Sequence, residues 1–229
     1  MKYYLGIDQS YTNTGIAIID VDGDVIESTS IPSSPDILKM CELYPEQVMQ
    51  QINDLIDCGL LDSSCKLTKK RKDLTKADKE LLKVSNAVRL NIICDELEKV
   101  IDKYHCNSHK NTILNNSLRR EILAGGVETI SFGSKGNTAD LGSLLGAIQR
   151  TLYVNDVELH RFEPKRVKKF AGNGSFSKEE MFDSLAEHER DILVESCPTN
   201  TRGTVVGLDD RVDALWIAKM SKESSLNSK

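Results

Sequence analysis

The chain has 229 residues, 39% of them hydrophobic, with 30 Lys and Arg against 35 Asp and Glu and a formal net charge of -5. That length supports one sizeable core and one domain with elaborations, and the acidic balance argues against a general nucleic-acid coat, which is basic as a whole. No run approaches the roughly 20 apolar residues of a membrane span, and no signal-peptide pattern is found, so a soluble protein of the reducing cytoplasm is expected. Cys41, Cys58, Cys65, Cys94, Cys106 and Cys197 show neither CxxC pairs nor a matching His spacing. Free thiols are expected rather than structural zinc.

In chain order, residues 3–8, 15–19 and 25–29 read as strands, with "DVDGD" (20–24) as the turn between the last two. The acidic turn fails as a calcium loop, which needs glycine one place later and a glutamate where Ile31 stands. From about residue 31 to 84 the pattern turns to Pro, Ser, Cys and mixed helical stretches that end in the basic run "KLTKKRKDLTKADKELLK". It reads as a helical, basic insertion. One long helix is expected from the cap-like "TKAD" (75–78) to about Tyr104, burying Leu90, Ile93, Leu97, Val100, Ile101 and Tyr104 at three-and-four spacing. "EILAGGVET" (121–129) reads as a buried strand whose Gly125 and Gly126 suggest close approach by another backbone. A helix over about 137–152 presents Leu141, Leu144, Leu145, Ile148 and Leu152. "VELHRF" (157–162) is a strand, Pro164 starts the short helix "PKRVKKF", "SKEE" (177–180) is a capping box, and "GLDDRVDALWIAKM" is a last helix. This order predicts a mixed α/β sheet flanked by helices.

Two carboxylates interrupt that apolar pattern. Asp8 and Glu128 each sit at the end of a buried strand, and a bare charge costs several kcal/mol to bury. In the last helix Asp210 and Asp213, three apart, share roughly one face while Val212, Leu215 and Trp216 look to the core, and Asp209 can substitute for Asp210. Several carboxylates gathered together repel one another unless a divalent cation offsets them. Oxygen-only ligation suits magnesium or manganese. Taken singly, each residue can also be ordinary strand-end or helix-surface charge.

"LGIDQSYTNTGIAIID" (5–20) resembles the first motif of the RuvC-type Holliday junction resolvases of the ribonuclease H-like superfamily, in which an aspartate ends the first strand and Thr-Gly begins the second. "GGVETISFGSKGNTADLGSLLGAIQ" is similar to the second motif and "DDRVDALWIA" to the third. Between them, "HRFEPKRVKKFAGNGSFSKEEM" resembles the family's strand, basic helix, glycine turn and Ser-x-Lys stretch. The likeness covers about half the chain, departing at Gln9-Ser10, where Pro-Gly is common, and at the 31–84 insertion. It implies a single ribonuclease H-like domain over residues 1–229, with three antiparallel strands followed by parallel ones. It also implies metal ligation by Asp8, Glu128, Asp210 and Asp213, with Lys178 beside the site and Phe132 as an aromatic near the junction.

The expected activity is divalent-metal-dependent phosphodiester hydrolysis at four-way or branched DNA, with two Mg²⁺ or Mn²⁺ ions serving the water and the leaving oxygen. Lys178 would add positive charge where negative charge develops, or is simply a solvated helix-start lysine. Lys165, Arg166, Lys168 and Lys169, around Val167 and Phe170, suit a helix with its basic side to phosphates. The 66–83 run is a second basic patch, or a solvated face. Phe132, Lys135 and Asn137 are candidates for reading a distorted junction, with a core phenylalanine as the alternative for Phe132. A homodimer is expected, because two strands must be cut symmetrically; the resemblance implies the 137–152 helix as its contact, and Leu141, Leu145 and Ile148 can serve an interface or simply a core. The rivals are a non-cleaving DNA-binding protein of the same fold and an actin-like ATPase.

Overall fold

Tyr3, Tyr4, Leu5 and Ile7 are all buried, and a strand covered on both faces reads as an unbroken apolar run. In the computed structural model this run is β1 (Lys2–Asp8), the central strand, followed by β2 (Asn13–Asp20) and β3 (Val25–Pro32). Residues 1–105, 120–130, 138–199 and 205–227 are described. Phe132, Lys135 and Asn137 lie outside them. The 20–24 turn forms as expected: Asp20 Oδ1 accepts from the backbone N–H groups of Asp22, Gly23 and Asp24 at 2.9, 2.9 and 3.0 Å. The carboxylate closes the turn.

β4 (Glu121–Glu128) and β5 (Glu158–Phe162) complete a five-stranded sheet of order β3-β2-β1-β4-β5. β1 pairs antiparallel with β2 and parallel with β4; β2–β3 is antiparallel and β4–β5 parallel. This is the three-antiparallel-then-parallel arrangement expected. On one face, α9 (Leu208–Asn227) packs with α6 (Pro164–Ala171), α7 (Lys178–Asp183) and α8 (Glu187–Ser196) around Val167, Met181, Leu193, Leu215 and Trp216. On the other, α4 (Asn86–Tyr104) and α5 (Thr138–Val154) bury Ile93, Leu97, Ile101, Leu144, Ile148 and Leu152 against β1. Among the described residues no helix is long and apolar enough to cross a membrane.

Residues 33–84 build a third core. α1 (Ile37–Leu43), α2 (Pro45–Asp57) and α3 (Lys76–Leu81) gather Ile37, Met40, Val48, Ile52, Leu55, Leu60, Leu61, Leu74 and Val84 against Ile92 of α4.

Two expectations give way in the fold. The Thr75 capping box forms, with Thr75 accepting from Asp78 N–H, but it opens only the short α3. The chain then leaves the helix so that Leu82 O accepts from Ile37 N–H and Val84 N–H donates to Pro35 O, at 3.0 and 2.8 Å. A second cap, Ser85, starts α4. The break buries Val84 in the third core.

The second concerns glycine. At Gly125 and Gly126 the nearest neighbours are side chains, Leu152 and Val157 for one and Ser221, Ile217 and Phe162 for the other. Backbone comes closest at Gly6 and Gly15 instead. A Cβ there would fall well under 3.0 Å from Ala214 O and Asp210 O respectively. Both glycines let α9 lie low on the sheet.

Candidate active site

Register fixes where the two strand-end carboxylates point. Gly6 partners Gly126 across the parallel β1–β4 pair, and Ile7 partners Val127, which sets Asp8 beside Glu128. One α-hydrogen of each of Gly6 and Gly126 faces α9, since the atom nearest to a Cβ at either position, Ala214 O or Ser221 Oγ, belongs to that helix. Side chains alternate along a strand, so two residues further on Asp8 and Glu128 face the same way. Gly15, opposite Asp8 in the antiparallel pair, also meets α9, at Asp210.

The first turns of α9 supply the other acids. Asp210, partly buried, accepts a 2.5 Å hydrogen bond from Asn13 Nδ2, whereas the Asp209 side chain is 62% exposed. The geometry thus separates the two candidates: Asp210 leans onto the hairpin and Asp209 faces out. Arg211 anchors this end of the helix from beneath, donating through Nη1 to Ser196 O and Ser196 Oγ at 2.6 and 2.8 Å.

Lys178 begins α7, whose capping box joins Ser177 and Glu180. Trp216 Nε1 donates to Met181 O at 3.0 Å and fixes α7 on α9. The Lys178 ammonium consequently lies 3.5 Å from Asp209 and 3.8 Å from Asp213 while its side chain stays half exposed. It is paired, not merely solvated.

Proton affinities show how crowded this negative charge is. Asp8 is pushed well above the usual carboxylate range by burial, then by Asp213, Glu128 and Asp210, against the pull of Lys178. Burial and Asp213 raise Glu128 to about 7, with Lys168 and Lys178 opposing. Asp213 is raised too, by burial first, with Lys178 opposing and Asp210 and Asp209 reinforcing. For Lys178 burial works downward, but Asp213, Asp209, Asp210 and Asp8 outweigh it and raise its pKa. All four predicted ligands therefore share one field.

They do not share one ligand geometry. Among the described residues no three His, Cys, Asp or Glu side chains are grouped so as to hold a metal ion as they stand. In donor type and charge the set fits a hard divalent cation: the donors are oxygens, partly buried, mutually repelling, and short of positive charge.

Asn13, Gln9 and Lys168 join the site without having been assigned this place. Gln9 Nε2 donates to Glu128 O at 2.9 Å, tying the ends of β1 and β4 together, and its Oε1 is buried with no partner among the described residues. Lys168 turns inward from α6, donating to Phe176 O at 2.8 Å and lowering Glu128, while Lys165, Arg166 and Lys169 stay exposed. A cleft of about 530 Å³ opens beside Glu128 between Thr129, Ile130, Pro164, Lys165, Lys168 and Gly174.

Titration of Glu128 has a consequence for stability. The folded chain keeps its proton from the ordinary 4.5 up to about 7, a range in which the unfolded chain has released it, so stability falls as pH rises through that window, by about 3 kcal/mol. Without divalent ions, the protein should melt at a higher temperature near pH ~5 than near pH ~8, and Glu128→Gln should flatten that slope. An unchanged slope in the variant would remove Glu128 as its source.

No protein-family model matches the chain, and no curated protein matches it. Among solved structures, Thermus thermophilus RuvC is 16% identical, with 98% of this chain and 94% of that one covered, at a TM-score of 0.52. T. thermophilus RuvC in complex with a Holliday junction substrate is 14% identical, with 100% and 96% covered, also at 0.52. The fold is that of RuvC. The ribonuclease H-like mixed sheet expected from the sequence is thus the one observed. Within this RuvC fold, Asp8 and Glu128 end neighbouring strands and Asp210 and Asp213 approach them from the covering helix.

Proposed function

We propose that the protein is a structure-selective DNA endonuclease that hydrolyses phosphodiesters at four-way or branched junctions. One observation supports this above the rest: carboxylates from three distant segments of a RuvC fold are directed to one face by strand register and by the seating of α9. Asp8, Glu128, Asp210 and Asp213 would hold the metal. Two Mg²⁺ or Mn²⁺ ions, when bound there, supply an activated water and stabilisation of the leaving oxygen. The chain's own residues orient and neutralise. Asn13 holds Asp210, Gln9 ties the ends of β1 and β4, and Lys178 places an ammonium where negative charge grows on the phosphate. Lys165 and the inward Lys168 of α6 line the cleft, Arg166 and Lys169 of the same helix are exposed, and together they suit a phosphate backbone. T. thermophilus RuvC has been seen with a Holliday junction substrate, and two identical sites in a C2 dimer would serve the two strands of such a junction. α5 is the dimer contact in this reading. Leu144, Ile148 and Leu152 belong to the core, leaving Leu141, partly covered, and Tyr153, 81% exposed, for a partner.

A second reading, a non-cleaving junction binder, draws on the ungathered carboxylates and on Lys178 already standing among them. Labelled four-way junction and linear duplex incubated with Mg²⁺ or Mn²⁺, and with EDTA, separate the two. Paired nicks near the crossover in Mg²⁺, absent in EDTA, are expected. Junction binding without nicks in either metal would favour the binder.

Lys178→Ala should slow single-turnover cleavage by roughly 10²-fold while junction affinity changes little. Because Lys178 lowers the proton affinities of Asp8 and Glu128, its loss should also move the acid limb of the rate profile to higher pH. An unshifted limb would place Lys178 outside the site.

A further inference from the structure

Residues 33–84 have a closed neck, a core and a charged exterior, and each bears on what they do. The neck is clasped by an antiparallel backbone bridge at Asp36 and Lys83, made by the bonds joining Ile37 to Leu82 and Val84 to Pro35. Its root lies at the catalytic end of the sheet. Pro32 pairs with Asn13, and Ser33 N–H donates to Thr12 O at 2.9 Å. Arg89 of α4, buried, donates to Ser33 Oγ at 3.0 Å, to Asn86 Oδ1 at 3.1 Å and to Tyr11 O at 2.5 Å, with its guanidinium over the Tyr11 ring. One side chain therefore joins the root of the insertion to the loop that follows Asp8.

The exterior is basic in a chain that is acidic overall. Residues 66–83 hold eight Lys and Arg against three Asp and Glu. This is not a loose tail: Leu74 is buried in the third core, Arg71 is pinned to Asp36 at 3.1 Å, Thr75 and Asp78 cap α3, and Thr68 N–H donates to Leu60 O at 3.1 Å. Some of the charge is already used, by Arg71 with Asp36, Lys83 with Glu80 and Lys69 with Asp78. Lys70, Lys72, Lys76 and Lys79 are exposed, and no ion pair involving them is found among the described residues. A packed platform that keeps four lysines exposed and, among the described residues, without an ion pair, and that is rooted beside the cluster of acids, fits a polyanion, and DNA backbone is that polyanion.

We propose that residues 33–84 are a second DNA-binding surface, in which Lys70, Lys72, Lys76 and Lys79 hold the backbone of one duplex arm while the scissile strand lies at Asp8. It rests on the nuclease reading only for which DNA is held. The test replaces all four lysines with Gln, and separately with Arg, and measures affinity for a four-way junction and for a linear duplex over ~50–200 mM salt in EDTA. Each phosphate that the protein no longer neutralises should flatten the plot of log affinity against log salt by about 0.9. The Gln variant should thus lose about 2–4 from the slope and bind roughly tenfold to a hundredfold more weakly at the middle of that range. The Arg variant should keep the wild-type slope, and melting temperatures should match wild type, since exposed unpaired lysines are replaced. A wild-type slope in the Gln variant on both DNAs would overturn the proposal, including in favour of an acidic protein as the true partner. A flattened slope on both DNAs, with no wild-type preference for the junction, would keep this surface and remove the junction reading instead.

Discussion

Asp8→Asn and Glu128→Gln should each cut junction cleavage by on the order of 10³-fold, because metal-assisted charge stabilisation is worth several kcal/mol in the transition state and each 1.36 kcal/mol is tenfold. Junction affinity should hold or tighten, since a carboxylate that faces phosphate is being neutralised. The same substitutions should stabilise the protein when divalent ions are withheld. Both residues carry raised proton affinities from burial and from neighbouring carboxylates, which is to say that their charged forms oppose folding. A melting temperature that rises while cleavage vanishes marks residues kept for chemistry at the expense of stability. The reverse pattern, lower melting temperature with cleavage retained, would make them structural acids. Catalysis surviving in either variant would take that residue out of the mechanism.

Gly6→Ala and Gly15→Ala should be the most damaging single-methyl changes in the sheet. A Cβ at Gly6 would meet Ala214 O and Ala218 N, and at Gly15 Asp210 O, all backbone atoms and all well under 3.0 Å away. Backbone cannot swing aside as a side chain can, so α9 must lift. Overpacking of this kind costs up to about 3 kcal/mol or more, or roughly 10 °C in a chain of this size. The two variants differ in function: Gly15→Ala pushes directly on the turn that carries Asp210, so its folded fraction should cleave poorly, whereas Gly6→Ala acts one to two turns further along, at Ala214 and Ala218. Gly146 on α5 is the control. Nothing lies within 4 Å of a Cβ there, and Gly146→Ala should be neutral or stabilising by up to about 1 kcal/mol. Equal melting temperatures for Gly15→Ala and Gly146→Ala would refute the close seating of α9.

What the sequence disclosed follows from the range of the interactions involved. Asp8 and Glu128 were legible because a charge at the end of an apolar run is a local contradiction, and Lys178 because Ser177 and Glu180 announce a helix start three residues apart. Asp210 and Asp213 followed from helix spacing. What tells Asp210 from Asp209 in the fold is the bond from Asn13, which lies 197 residues away. Gln9 reaches Glu128 across 119 residues. The break after α3 was missed because the "TKAD" signal is real and the pairing that stops the helix comes from Pro35 and Ile37, although "VSN" at 84–86 carried a second cap in plain view. At Gly125-Gly126 the sequence marked a strand that needs room but not what fills it, which is Leu152 and Val157 at Gly125 and, at Gly126, Phe162 together with Ser221 and Ile217 of a helix about ninety residues on. Lys168 read as one of four alike in a basic helix, and only the fold turns it toward Phe176.

Carboxylates that share a field still have to close around an ion, and nuclease chemistry depends on that closure. Calorimetric titration with Mn²⁺ near pH ~8, on wild type and on Asp8→Asn/Asp213→Asn, measures it without any substrate. Saturable binding to wild type, accompanied by a rise in melting temperature and lost in the double variant, is the predicted result. Mn²⁺ that fails to bind wild type, or binds the double variant equally well, would contradict it.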